Sequence, residues 1–214
     1  MRVYDFDKTI FYPDCTYLFI KWCVRRYPSL IYKYLPKFTL RCVLYKLKIL
    51  RKHEIEEDMF EFMRYVPDID REIEMFWDAK EGNISEWYLK QKRSDDLVIS
   101  ASPEFIIRPI ARRLNINYIA TELDMNTLKI IGRSCYGRQK VKAILDSSIF
   151  LNNNVEEFYS DSLSDTPLAL CAEKAYLVKK KATEPVPWPE LTPEIKKKIM
   201  VAIKEDMSEE DRQN

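Results

Sequence analysis

Asp5-Phe6-Asp7-Lys8-Thr9 carries two carboxylates two residues apart, at the end of an apolar run that begins at Val3. In an extended chain such residues share a face and lie a few ångströms apart. Acids that close repel unless a cation or a shared proton relieves them. Magnesium, a hard cation that takes oxygen ligands, suits the role. A lone DxD is commonly just a solvated strand end, but three further groups change that reading. Ser100-Ala101-Ser102 ends a second apolar run before a helix start, and offers a hydroxyl and free backbone N–H groups to an anion. Gly137-Arg138-Gln139-Lys140 opens another helix with a lysine in its first turn, against the macrodipole's preference for acids there. Ser160-Asp161-Ser162-Leu163-Ser164-Asp165 follows a third apolar stretch, with two acids at helical spacing. Taken singly, Ser102 is an ordinary N-cap, Lys140 a surface lysine and Asp165 a helix-start acid.

The elements that must position these groups follow from periodicity. Residues 3–6, 97–99 and 158–159 read as buried parallel strands, each followed at once by polar residues, and 175–178 as a further strand. In open α/β sheets ligands collect where the carboxyl ends of the strands meet their loops, which is where the four groups fall. Residues 118–123 and 127–131 read as a hairpin or extended pair around Asp124-Met125-Asn126. Between the first two strands about eighty residues read as helix throughout, with Pro13, Pro28, Pro36 and Pro67 at its boundaries. Residues 103–114 read as a helix capped by Ser102 with Pro103 first, residues 137–145 as another, and the tail from Thr192 as a charged helix to about Glu205, frayed from Ser208.

In this order the four groups resemble the motifs of the haloacid dehalogenase-like superfamily. Asp5 to Thr9 match DxDxT, Ser100 closes the second motif, Lys140 matches the third-motif lysine, and Asp161 with Asp165 match the DSxxD form of the fourth. The resemblance spans essentially the whole chain. It implies an α/β fold: a Rossmann-like parallel-sheet core, residues 1–12 and 95–214, with an α-helical C1 cap, residues 13–94, inserted after the first strand. It also implies Mg2+-dependent phosphate-monoester hydrolysis. Asp5 would attack phosphorus, being already ionised, and Asp7 would serve as general acid and base. Mg2+ would be held by Asp5, the Asp7 backbone carbonyl and Asp161, with Asp165 in support. Ser100, Ala101 and Lys140 would bind the phosphoryl group, and Thr9, beside them, would orient the first loop. Members that cleave carbon–halogen bonds lack the second aspartate; Asp7 is present, which favours phosphoryl transfer.

Within the superfamily the chain resembles the phosphoserine phosphatase-like branch. It departs from it where Ala101-Ser102-Pro103 replace a glycine pair, and where Asp14 stands in place of the usual glutamate as a candidate substrate contact. Ser100-Ala101-Ser102-Pro103 and Tyr159-Ser160-Asp161-Ser162 also resemble the corresponding stretches of phosphatidylglycerophosphatase C-like proteins, so the expected substrate is a small soluble phosphate ester, with a lipid phosphate or phosphoserine as the alternatives. A binding module on a retained scaffold would not need the full set of ionisable motif residues.

Thirty-five basic and thirty-four acidic residues in 214 nearly cancel, so no overall field recruits nucleic acid, and none is expected as a partner. Five cysteines without a CxxC pair, and no signal pattern at the N-terminus, lead to the expectation of a reducing cytoplasm. The run from 29 to 50 is interrupted by Lys33, Lys37, Arg41, Lys46 and Lys48 and should not cross a bilayer. His53, the sole histidine, reads as a surface residue. Local charge is uneven: from Cys15 through His53 there are ten bases, no acid and eight aromatics. This segment reads either as a cap whose aromatics pack inside and whose bases face the acidic run from Glu54 to Glu61, or as a peripheral contact for an anionic membrane.

Overall fold

A computed structural model describes residues 1–147, 154–179, 184–190, 192–194 and 197, without the side chains of residues 52 and 53. The helix expected from Pro193 lies mostly outside the described residues, as does the side chain of His53.

The centre is a six-stranded sheet. Its strands are β1 (Arg2–Tyr4), β2 (Leu97–Pro103), β3 (Asn117–Thr121), β6 (Glu157–Ser160), β7 (Lys174–Leu177) and β8 (Val186–Pro187), in the order β3-β2-β1-β6-β7-β8. All neighbours run parallel except β8, which is antiparallel to β7. The chain leaves β1 toward β2 on one side and returns to β6 on the other, so the crevice where strand order reverses opens at the carboxyl ends of β1, β2 and β6.

Strand alternation loads both faces of the sheet. Val3, Leu97, Ile99 and Phe158 point into one apolar cluster with Ile144 and Leu168. Tyr4, Val98 and Tyr159 point into the other. Tyr4, Tyr159 and Tyr176 sit opposite one another and stack across three strands at 4.7 and 4.8 Å between ring centroids. Burial on both faces is why these strands read as apolar runs rather than as alternating ones.

Six helices lie between β1 and β2: α1 (Cys15–Arg26), α2 (Leu30–Lys33), α3 (Leu35–Lys46), α4 (Lys52–Asp58), α5 (Ile69–Lys80) and α6 (Glu86–Gln91), with two short 3-10 turns. Phe19 on α1 packs edge-on against Phe62, Phe76 and Phe105 at 5.4 to 6.2 Å. On α5, Trp77 is wholly buried, donates from Nε1 to the Ile106 carbonyl at 2.9 Å and meets Phe6 and Phe11 edge-on. The inserted helices and one face of the sheet therefore share a single apolar cluster. The other helices given among the described residues are α7 (Glu104–Leu114), α8 (Arg138–Asp146) and α9 (Thr166–Ala169).

Three local readings of the sequence need correction. The first strand stops at Tyr4 rather than at residue 6; Asp5 still donates its N–H to the Tyr159 carbonyl at 2.8 Å before the chain turns. Residues 117–121 are not half of a hairpin but the strand β3, parallel to β2, and only β4 (Leu123–Asp124) pairs with β5 (Lys129–Ile130). The Asp124 carboxylate accepts from the Asn126 and Thr127 N–H groups and fixes that small turn. Finally, β2 runs on to Pro103 through an irregularity in its register, and α7 starts at Glu104 with Pro103 as its cap residue. Ser102 makes no cap because its hydroxyl is bound elsewhere.

Candidate active site

Asp5 is buried, and both carboxylate oxygens are engaged: Oδ1 accepts from Lys140 Nζ at 2.5 Å and Oδ2 from Thr9 Oγ1 at 3.0 Å. After Asp5 the chain coils tightly. The Phe6 carbonyl accepts N–H groups from Thr9, Ile10 and Phe11, and Lys8 takes a left-handed conformation with φ 61° that costs a non-glycine residue some energy. The buried stack of Phe6 on Phe11, closed by Trp77, holds this coil against the core.

The coil aims Asp7 at the start of α1 and the end of β2. Its Oδ1 accepts the Cys15 backbone N–H at 2.6 Å, and Oδ2 accepts the Ser102 hydroxyl at 2.5 Å. Thr16 Oγ1 lies 2.8 Å from Ser102 Oγ and completes a small polar ring with Cys15 Sγ. Burial and the nearby Asp14 carboxylate push the Asp7 carboxyl up to about 7, while the hydrogen bonds from Ser102 and Cys15 hold it down. A carboxyl balanced there can both give and take a proton near neutrality.

Lys140 comes from the first turn of α8. The chain enters that helix through Gly137 at φ 54°, ψ −123°, a conformation open to glycine and strained for any other residue. Lys140 Nζ sits between Asp5 and Asp165 Oδ2, 2.7 Å from the latter, with its side chain almost wholly buried. Burial alone would lower the ammonium, but Asp165 and Asp5 outweigh it and raise it above its ordinary value. Asp165 Oδ2 also accepts from Ser160 Oγ at 2.8 Å, whereas its Oδ1 is buried without a hydrogen-bond partner.

Ser100 and Ala101 stand where the register of β2 shifts. Ser100 Oγ accepts from the Ser102 N–H at 3.0 Å, and Ala101 is exposed to the cavity. Asp161, half-buried, donates its N–H to Thr9 Oγ1 at 3.0 Å, so Thr9 ties the loop after β1 to the loop after β6. Asp14 N-caps α1, accepting from the Tyr17 N–H at 2.9 Å, and lies 3.6 Å from Lys8 Nζ. All nine residues singled out in the sequence, Asp5, Asp7, Thr9, Asp14, Ser100, Ala101, Lys140, Asp161 and Asp165, thus converge on the crevice. Most of them line one cavity of about 690 Å³.

What the sequence reading missed is the shell around Asp7: Ser102, Thr16 and the Cys15 N–H. Ser102 was discoverable. Ser100 and Ser102 share a face of an extended strand, so if one points at the crevice the other does too.

The acidic oxygens suit a divalent cation. Burial, followed by the Asp5 charge, raises the Asp161 carboxyl to about 6, and burial raises Asp5, so these acids gain from a cation placed between them. The unpartnered Asp165 oxygen could accept from a metal-bound water. Among the described residues no three acidic, cysteine or histidine side chains form a ready-made cage. Magnesium does not need one, since it usually keeps several waters and binds one or two carboxylates together with substrate phosphate.

Among solved structures, the chain is similar to a protein of unknown function from Bordetella pertussis Tohama I, with 18% identity, a TM-score of 0.68 and coverage of 82% of this chain and 87% of the other. It is also similar to a phosphoserine phosphohydrolase-like protein from Francisella tularensis subsp. tularensis SCHU S4, at 14% identity and a TM-score of 0.53, covering 86% and 91%. At these identities the likeness is one of fold. A search of curated proteins finds no significant match. The family model for haloacid dehalogenase-like hydrolases matches residues 3–170, from β1 through α9, and the chain belongs to that family.

Proposed function

We propose that the protein is a magnesium-dependent phosphate-monoester hydrolase that works through an aspartyl-phosphate on Asp5. The observation that carries this reading is the division of labour between the two aspartates. Asp5 stands between an ammonium and a hydroxyl that counter the burial raising its carboxyl, while Asp7, held by Ser102 and the Cys15 N–H instead, is pushed up to about 7.

An Asp5 oxygen attacks phosphorus as the bond to the ester oxygen breaks, and Asp7 delivers its proton to the departing alkoxide. A water then attacks the phospho-aspartate, giving its proton to Asp7 and releasing phosphate and free Asp5. Lys140, the Ser100 hydroxyl and the backbone at Ala101 bind and neutralise the phosphoryl oxygens. Thr9 keeps Asp5 oriented. Asp5, the Asp7 carbonyl and Asp161 would hold Mg2+, with Asp165 in support; bound there, the ion would neutralise phosphoryl charge. Residues 13–94 act as the cap over a core of residues 1–12 and 95–214. Asp14, at the start of the cap, would meet the leaving group.

The proposed substrate is a phosphate ester, and the cap side of the cavity bears on which one. Ile20, Leu35, Phe38, Met59 and Phe60 line it, an apolar surface that favours a leaving group with an apolar portion. That observation supports a lipid phosphate as a second reading beside a small soluble ester. Among the described residues no helix is long and apolar enough to cross a membrane. The proposed cytoplasmic location rests instead on the five cysteines, all free, which suit a reducing compartment.

The decisive experiment is hydrolysis of an aryl phosphate with and without magnesium, beside the Asp5→Asn variant. Wild-type activity should vanish on chelation and return with magnesium. Asp5→Asn should be folded and inactive, and retained activity in it would rule out the covalent route. Beryllofluoride should inhibit and appear bonded to Asp5.

A further inference from the structure

The helix α3 is built inside out. No residue of it is fully buried. Its inner side stacks Phe38 on Tyr34 at 5.3 Å and pairs Arg41 with Asp58. The opposite side carries Leu40 and Val43, continued at helical spacing by the C-cap residue Leu47, and these are 59%, 46% and 64% exposed. Ile31 and Tyr32 on α2, and Ile49 just beyond α3, extend the apolar surface at 54%, 70% and 65% exposure. An apolar stripe of this size on a water-facing helix marks an interaction surface.

The charges around the stripe select the partner. Lys37 and Lys46 flank it on either side of α3, with Lys33 and Lys48 at its ends, all exposed. The whole segment from Cys15 through His53 has ten bases and no acid. Of the acids that follow it, Glu54 pairs with Arg51, Asp58 with Arg41, and Glu57 accepts from the Ile130 N–H. A second copy of the chain would set like charges against each other. Nucleic acid would want a basic aromatic platform, whereas the stripe on α3 is aliphatic.

We propose that the outward face of α2 and α3 docks on an anionic lipid surface. Leu40, Val43 and Leu47 enter the boundary between headgroups and acyl chains, Tyr32 sits at the headgroup level, and the lysines lie among the anionic headgroups. This is peripheral attachment and needs no spanning segment. It stands apart from the hydrolase reading, because it is measured without substrate.

The test is flotation of the full chain with phosphatidylcholine vesicles, with and without phosphatidylglycerol, at low and at high ionic strength. The wild type should partition about tenfold more to the anionic vesicles. High ionic strength, which shortens the screening length below about 8 Å, should release it. Leu40→Ser with Val43→Ser and Leu47→Ser, and separately Lys37→Gln with Lys46→Gln and Lys48→Gln, should each cut partition about tenfold. Aryl-phosphate hydrolysis should stay unchanged, since none of the six residues belongs to the catalytic machinery. If the serine variant does not fold, the glutamine variant decides, because all its changes are on exposed side chains. Absence of wild-type partition at low ionic strength overturns the proposal, as does wild-type-like partition by both variants. A wild-type dimer that ignores vesicles and falls apart in the serine variant also overturns it, assigning the face to a second copy.

Discussion

At the scale of single residues, the site is governed by which buried charges have partners. Lys140 is the hub, because Asp5 and Asp165 both depend on its ammonium. Lys140→Met should leave two buried carboxylates uncompensated and destabilise the protein by about 3–5 kcal/mol at neutral pH. The sign with pH follows from linkage: without the ammonium, the Asp5 pKa in the folded chain rises further above its unfolded value. Stability is then present at low pH and lost as pH rises, so the gap to wild type should narrow toward pH 4 in urea titrations. Ser102 governs Asp7 in the opposite sense. Its hydrogen bond holds the Asp7 proton affinity down, so Ser102→Ala should move the alkaline limb of kcat/KM to higher pH. The misplaced carboxylate should also lower kcat about 10–100-fold. An unchanged pH profile would make Ser102 merely structural.

At the scale of elements, the strand-end positions of Asp5, Ser100 and Asp161 were legible because buried parallel strands leave apolar runs with abrupt polar ends. The exact ends were not: β2 overran its apolar run because the Ser102 hydroxyl binds Asp7, a contact 95 residues distant that no local pattern records. Residues 117–121 were misread for a similar reason, since a short edge strand carries no mark of which partner it takes. Gly137, by contrast, was readable as a helix opener, and its backbone explains why glycine stands there. Gly137→Ala should cost about 1–3 kcal/mol in strain, lowering Tm by several degrees and displacing the first turn of α8 that presents Lys140. A variant as stable and as active as wild type would contradict that account.

At the scale of the whole molecule, the inserted helices are not loosely tethered to the sheet. Glu72 on α5 accepts from Trp22 Nε1 at 2.8 Å and from Tyr27 OH at 2.9 Å, and pairs with Arg26 at 2.7 Å, fastening α1 to α5. Trp77 then fastens α5 to α7 and to the coil after Asp5. With one apolar cluster running through all of these, unfolding followed by far-ultraviolet circular dichroism and by tryptophan fluorescence should give a single coincident transition. Trp77→Ala should lower its midpoint by an amount equivalent to about 3–5 kcal/mol. The arrangement has a further consequence at Asp7. One of its oxygens is held by the first N–H of α1, so the positive end of that helix dipole rests on the carboxylate. Any rigid displacement of α1 away from the sheet strips the carboxylate of this donor and raises its affinity for a proton. The angle of the helix and the acidity of the residue are thus two readings of one variable.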